Sequence, residues 1–269
     1  MQITSIVENT CFLPGYQKEQ GLSLYIGTKK HKILFDFGMG IKFVNNAEKM
    51  AIDLSDVDIA FISHGHFDHG RGLEQFLKIN SKALIYIQKT TFGKYYLRTK
   101  IGKYHYGGLD QKLATNPRLI VLDGSAIIDD ELQITSKVPP KREIRNLFMK
   151  ENGKMLPDIF NHEQSLVISE NRKKILVSGC SHTGIDRILS VSEKVCGKID
   201  FVLGGFHLIA YNFKKPEDLA EIDELANQLL KRDTMYYTCH CTGTLGYKRL
   251  KEVMGDRIGY LSTGNTIWI

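Results

Sequence analysis

Three imidazoles and a carboxylate crowd into Ser63-His64-Gly65-His66-Phe67-Asp68-His69, directly after the apolar run Asp58-Ile59-Ala60-Phe61-Ile62. That run is short and nearly continuous, as a strand buried on both faces is. The polar cluster behind it suits neither a core nor a helix interior, so the chain has to present it at the mouth of a sheet. His64 and His66 are two apart and point the same way in an extended segment, while the turn through Phe67 directs Asp68 and His69 toward a second position. Such a set can hold two metal ions. The plain alternative is a polar loop whose histidines titrate near neutral pH. Gly65 and Gly70 suit a tightly bent loop whose backbone approaches a ligand closely.

The surrounding 269 residues are 42% hydrophobic and 25% charged. This composition belongs to a globular protein and excludes a disordered tail, a collagen-like chain or a coiled coil. No apolar run approaches the roughly 18 residues that cross a bilayer, so no membrane partner is expected. The start, Met1-Gln2-Ile3-Thr4, lacks the basic and then apolar segments of an export signal, which makes a cytoplasmic protein the expectation. Five scattered cysteines argue against a disulfide framework.

Short apolar runs at 2–7, 22–26, 32–37 and 83–87 read as further strands, with a helix over 72–79. Residues 89–160 look irregular, apart from a possible hairpin at 128–134. Strands follow at 165–168 and 174–177, then a helix over 183–195, a strand at 201–203 and a helix over 216–232 opened by Pro216. Strand, helix and strand at 235–237, 247–254 and 258–261 complete the pattern. The second half resembles the first, and two sheets face to face with helices outside would bury it. No linker divides the chain convincingly, so one domain over 1–269 is expected, carrying an irregular insertion or substrate cap at about 89–160.

His64-Gly-His66-Phe-Asp68-His69 resembles the HxHxDH signature of the metallo-beta-lactamase fold. The resemblance extends over most of the chain and implies an α/β architecture, the four-layer αββα sandwich, with one or two metal ions at the sheet edge. It casts Asp36, in Phe35-Asp36-Phe37-Gly38, as a residue that supports the metal loop without binding metal. It implies a third ligand for the first ion from a later histidine, and His162 in Phe160-Asn161-His162-Glu163 stands where that motif is expected. The strand-end aspartate that bridges both ions in the family is replaced here: Cys180 occupies its position in Ser178-Gly179-Cys180-Ser181-His182. A thiolate can ligate zinc or iron, and a small buried packing residue is the alternative. His182 can ligate, face the substrate or make an outer contact. His240, in Cys239-His240-Cys241-Thr242-Gly243, matches the late histidine of the second ion. An extended segment would turn Cys239 and Cys241 away from it as packing residues. Together, Gly-Cys-Ser-His-Thr-Gly, Gly-Gly-Phe-His-Leu and His-Cys-Thr-Gly narrow the resemblance to the subgroup labelled 7,8-dihydropterin-6-yl-methyl-4-(beta-D-ribofuranosyl)aminobenzene 5'-phosphate synthase.

The expected cofactors are therefore two divalent ions, zinc ahead of iron or manganese, with His64, His66 and His162 on one and Asp68, His69 and His240 on the other. Cys180 and His182 lie at the join. Such ions generate hydroxide near neutral pH and polarise a phosphoryl or carbonyl oxygen, and His182 or His207 would deliver a proton to the leaving group. A separate cue concerns the substrate. Seven of the chain's basic residues lie between Lys89 and Arg118 against one acid, Asp110. Tyr95, Tyr96, Tyr104 and Tyr106 are interleaved there with Arg98 and Lys103, a pattern able to stack on a flat heterocycle while holding phosphate. A solvated basic cap is the bland alternative. Lys141, Arg142 and Arg145 would extend the positive rim.

A phosphoesterase acting on a nucleotide or pterin phosphate satisfies these cues, with the pterin-phosphate synthase and a non-catalytic metal-containing sensor as alternatives. Nucleic acid is the less favoured partner, because the net charge of +6 is mild and no long Gly/Pro-rich arm is present to grasp transfer RNA.

Overall fold

The computed structural model describes residues 1–140, 144 and 146–269. Lys141, Arg142 and Arg145, assigned above to a basic rim, lie outside the described residues. In chain order the strands are β1 (Gln2–Val7), β2 (Ser23–Gly27), β3 (Lys32–Phe35), β4 (Ile59–Phe61), β5 (Leu84–Gln88), β6 (Tyr95–Arg98), β7 (Tyr104–Tyr106), β8 (Leu119–Leu122) and β9 (Ala126–Ile127). Then come β10 (Leu132–Ser136), β11 (Leu147–Glu151), β12 (Lys154–Pro157), β13 (Gln164–Glu170), β14 (Lys173–Val177), β15 (Phe201–Gly204), β16 (Met235–Thr238), β17 (Ile258–Tyr260) and β18 (Thr266–Trp268). The helices are α1 (Lys42–Lys49), α2 (Phe67–Gly70), α3 (Leu73–Ile79), α4 (Ile185–Cys196), α5 (Pro216–Leu230) and α6 (Gly243–Met254).

Two seven-stranded sheets run in the orders β18-β1-β2-β3-β4-β5-β8 and β17-β16-β15-β14-β13-β10-β9. Alternation along each strand sorts the side chains. Ile33 and Phe35 of β3, Ile59 and Phe61 of β4, Leu166 and Ile168 of β13, and Ile175 and Val177 of β14 meet in one core between the sheets. Their neighbours point outward: Leu34 and Ala60 pack with Phe43 of α1 and Leu73 and Phe76 of α3. Val167 and Leu176 pack with Ile188 of α4, Ile222 of α5 and Leu250 of α6. The result is the αββα sandwich expected from the sequence. Each sheet changes from antiparallel to parallel partway across: β3, β4, β5 and β8 are parallel, as are β14 to β17. The carboxyl ends of parallel strands are where open α/β sheets bind ligands, and five of them converge here.

The stretch from 89 to 160 is more regular than its composition suggests. β8 joins the first sheet, while β9 and β10 form the foreseen hairpin and join the second. The remainder makes a separate four-stranded antiparallel sheet in the order β12-β11-β6-β7. Strand β18 was not foreseen; it pairs Trp268 with Gln2 and covers the β1 edge. Helix α6 also starts earlier than expected, at Gly243. Among the described residues no helix is long and apolar enough to cross a membrane.

Candidate metal centre

The histidine loop leaves the end of β4 and is tied at once to the end of β3. Asp36, fully buried and held at φ 63, accepts the Ser63 N–H at 2.7 Å and the Ser63 hydroxyl at 2.7 Å. The same carboxylate takes the Nδ1–H of His69 at 2.6 Å. A left-handed aspartate is strained unless its surroundings fix it, and these three bonds do so. Gly65 is required for a different reason: a Cβ there would sit 2.3 Å from the Thr91 carbonyl oxygen and 2.6 Å from the Tyr95 ring. Its close approach is thus to the cap.

Four groups from three strand ends, those of β4, β14 and β16, converge on one point. His69 Nε2 and His240 Nε2 are 3.1 Å apart, and the Cys180 thiol is 3.3 Å and 3.2 Å from them. Asp68 Oδ2 completes the set at 4.0 Å and 3.7 Å from the same two nitrogens. Ligands about 2.1 Å from a tetrahedral ion are separated by about 3.4 Å, so the spacing fits. The hydrogen bonds also fix the tautomers. Asp36 takes the Nδ1–H of His69. Asn9 Oδ1, which accepts the Gly21 N–H at 3.1 Å, also takes the Nδ1–H of His240 at 2.7 Å. Both Nε2 atoms therefore turn lone pairs toward each other, an arrangement that calls for a cation between them.

A second set adjoins it. His64 Nε2 lies 3.3 Å from His182 Nε2, and His66 is within ligand spacing of both. Ser63 Oγ, having given its proton to Asp36, accepts the Nδ1–H of His64 at 2.8 Å, again leaving a lone pair on Nε2. Glu163 holds the strand-end loop of His182, accepting from the His182 N–H at 2.7 Å, the Thr183 N–H at 3.0 Å and the Thr183 hydroxyl at 2.6 Å. His182 Nδ1 is buried without a partner, and its ring stacks on Phe160 at 4.6 Å. Cys180 lies within ligand spacing of His64 and His69 together, between the two sets.

His162 is not where the sequence led us to look. The Gly65 N–H donates to its Nδ1 at 2.9 Å, so its proton is on Nε2, which faces Asp158 at 3.1 Å. Asp158 in turn faces His66 Nε2 at 3.4 Å. With both nitrogens engaged, His162 offers no lone pair; it orients Asp158, and Asp158 orients His66 with Nδ1 free. The place beside His64 and His66 belongs to His182. Cys241 is a second departure. His240 to Thr242 form a tight turn with His240 at φ 51, so side chains do not alternate, and Cys241 Sγ comes within ligand spacing of Cys180 and His240. Cys239 does pack in the core between the sheets.

The protonation landscape follows the geometry. Burial holds His64 and His182 well below their usual range, helped by the surrounding imidazoles. Burial also lowers His69, but the Asp36 and Asp68 carboxylates outweigh it and push that ring up to about 9, so a cation at Nε2 would take the place of a second proton. Burial opposes ionisation of Asp158, yet the His162 and His66 rings keep it well below the usual carboxylate range. The Cys180 thiol is pushed up by burial.

A cavity of about 440 Å³ opens over both sets, lined by His66, Asp68, Cys180, His182, His207 and His240 together with Asn9 and Gln20. A larger cleft of about 730 Å³ adjoins it at His182 and His207. His207, at φ 49, places its ring 4.3 Å from that of His182, and its Nδ1 has no partner. The residues foreseen as substrate contacts fare differently. Tyr95 is 3% exposed, bonds the Thr90 carbonyl at 2.6 Å and packs its ring 4.1 Å from His162, so it backs the metal loop. Tyr96, Arg98, Lys103, Tyr104 and Tyr106 line neither cavity; Leu97 and Leu147 do. The segment is a strand, so successive residues leave opposite faces. Asn9, Glu8, Glu163 and Asp158, all part of the support, carried no sequence signal of their own.

The profile of the metallo-beta-lactamase superfamily matches residues 16–227. Among curated proteins, the chain is similar to an uncharacterised protein of Methanocaldococcus jannaschii, 25% identical over 268 residues and covering 96% of this chain and 97% of that one. It is similar also to the 7,8-dihydropterin-6-methyl-4-(beta-D-ribofuranosyl)-aminobenzene-5'-phosphate synthase of the same organism, 29% identical over 278 residues, with 94% and 90% covered. Among solved structures, a metal-dependent hydrolase of the beta-lactamase superfamily superposes with a TM-score of 0.82 at 26% identity, covering 100% of this chain and 99% of the other.

Proposed function

Because this chain belongs to the metallo-beta-lactamase superfamily, we propose that it is a metal-dependent hydrolase with two divalent ions, zinc first among them, that cleaves the phosphoester of a small phosphorylated heterocycle. The observation that carries this reading is the convergence of outward-held imidazoles, His69 Nε2 on His240 Nε2 at 3.1 Å, with His64 Nε2 meeting His182 Nε2 at 3.3 Å in the adjoining set. In this assignment His64, His66 Nδ1 and His182 hold one ion. Asp68, His69, Cys180 and His240 would hold the other, and Cys180 Sγ is also within ligand spacing of His64. When bound, such ions lower the pKa of a water and polarise a phosphoryl oxygen.

The rest is done by the chain. Asp68 and Cys180 are the only ligands that ionise to anions, so they leave the centre with surplus positive charge, which favours an anionic substrate group. Asp36, Asn9, Asp158 and Ser63 keep the proton of His69, His240, His66 and His64 on the outward nitrogen. His207 stands beside both cavities with an unpartnered ring nitrogen and is the candidate to hand a proton to the leaving group. The name of the synthase relative supports a phosphorylated, pterin-like substrate class.

Elemental analysis of protein purified without chelator, paired with phosphate release from nucleoside monophosphates, tests this. About two ions per chain with turnover is the expected result. No metal, and no uptake on titration, would sink it. The adjoining 730 Å³ cleft supports a second reading, condensation of two reactants. Product formation from paired pterin and aminobenzene phosphate substrates, without phosphoester cleavage, would favour that one.

A further inference from the structure

The basic and aromatic run that the cavity does not use forms a surface of its own. β6 pairs with β7 and β11, and β11 with β12, in a register that sets Tyr106, Tyr96, Phe148 and Pro157 in one row across the four strands. Tyr104 stands opposite Arg98 on the same face, and its ring meets Phe148 edge-on at 5.2 Å. The Lys94 carbonyl takes the Lys150 N–H beside that row, and Lys100 and Lys103 sit in the turn joining β6 to β7. Tyr104 is 40% exposed and Tyr106 46%. None of Lys94, Arg98, Lys100, Lys103 and Lys150 makes an ion pair among the described residues. The guanidinium of Arg98 instead lies 5.9 Å from the centre of the Tyr104 ring.

We propose that this outer face of the four-stranded sheet binds single-stranded nucleic acid, with bases stacking on Tyr96, Tyr104 and Phe148 and the backbone phosphates meeting Arg98, Lys94, Lys103 and Lys150. Aromatic rings on an open antiparallel sheet accept splayed bases of any sequence, and unpaired flanking cations track the phosphates. Adjacent strands are about 4.8 Å apart, so the three-strand row from Tyr106 to Phe148 spans about 10 Å, room for two or so bases. A second copy of the chain is the poorer occupant. A two-fold contact would bring the same patch against itself, cation against cation. The face points away from the metal cavity, so the proposal is independent of the hydrolase reading.

The test is fluorescence anisotropy of labelled oligouridylate and oligothymidylate, each of about 12 nucleotides, with the full metal-loaded chain and a matching duplex as comparison. At about 50 mM salt the single strands bind, the duplex binds more weakly, and affinity falls steeply as salt rises. Tyr104→Ala weakens binding about 5- to 150-fold, while Tyr104→Phe retains it. Arg98→Ala lowers the slope of log affinity against log salt by about one. Unchanged melting and metal content show that these variants fold. No binding at low salt would overturn the proposal, as would binding indifferent to both alanine variants. So would a dimer that Tyr104→Ala dissociates in the absence of any oligonucleotide affinity.

Discussion

The two halves of the metal centre both rest on buried imidazoles but are not held equally. In the half formed by Asp68, His69, Cys180 and His240, both imidazoles have an outer partner, the buried Asp36 for His69 and the half-buried Asn9 for His240. Glu8 adds a third constraint by accepting the His240 backbone N–H at 2.8 Å. In the half formed by His64, His66 and His182, the His66 contact to Asp158 is long at 3.4 Å, and His182 has no outer partner at all. An imidazole with a fixed outer acceptor is pre-oriented and more basic as a ligand. The set of His64, His66 and His182 is therefore the looser of the two, although it contains the same number of histidine rings as its motif promised.

The largest test of this contrast removes a ligand from each side. His69→Ala should cost one of two bound ions and reduce hydrolysis by roughly a thousandfold, read by elemental analysis and initial rates. His182→Ala should cost the other ion. His162→Ala should keep both and weaken metal affinity by about 10- to 100-fold, because it acts only through Asp158 and His66. Loss of an ion in His162→Ala with none lost in His182→Ala would reverse the assignment.

Smaller effects sharpen the comparison. Asp36→Asn should weaken the tight site by about 10- to 100-fold in a competition titration, whereas Asp158→Asn should act on the looser one alone. Stepwise chelation should pass through a one-ion species in which Cys180 still resists alkylation, since the His182 side empties first. The mildest expected change concerns pH. Burial raises the Cys180 thiol, and it has to lose its proton to ligate, so occupancy of its site falls as pH is lowered. Cys180→Asp substitutes a group that ionises at much lower pH and should extend occupancy toward acid.

Much of this was legible in the sequence because it was contiguous. His64 to His69 follow a buried strand without interruption, and strand alternation sorted Ile33, Leu34 and Phe35 without help from long-range contacts. The choice between His162 and His182 was not legible, for a physical reason. One precedes β13 and the other follows β14, and the two open ends of a hairpin lie side by side. Only the Gly65 N–H distinguishes them, and that contact spans 97 residues. The tyrosine run misled in the opposite way: its composition was informative, but a loop was assumed where a strand divides neighbours between two faces. Cys241 failed for want of a local turn, and Asn9 because its role exists only once β1 lies near the end of β16.

The bond from Glu8 to the His240 backbone joins residues 232 apart, and the ligands themselves come from both sheets. Neither ion set is complete until the sandwich has closed. Metal affinity is then folding free energy by linkage, worth about 4 kcal/mol per ion when free metal exceeds its dissociation constant a thousandfold. Thermal melts with and without chelator should consequently differ across the whole transition, and the refolding rate should be limited by the closure of these long loops. Metal supply would set the lifetime of such a chain as much as its catalytic competence.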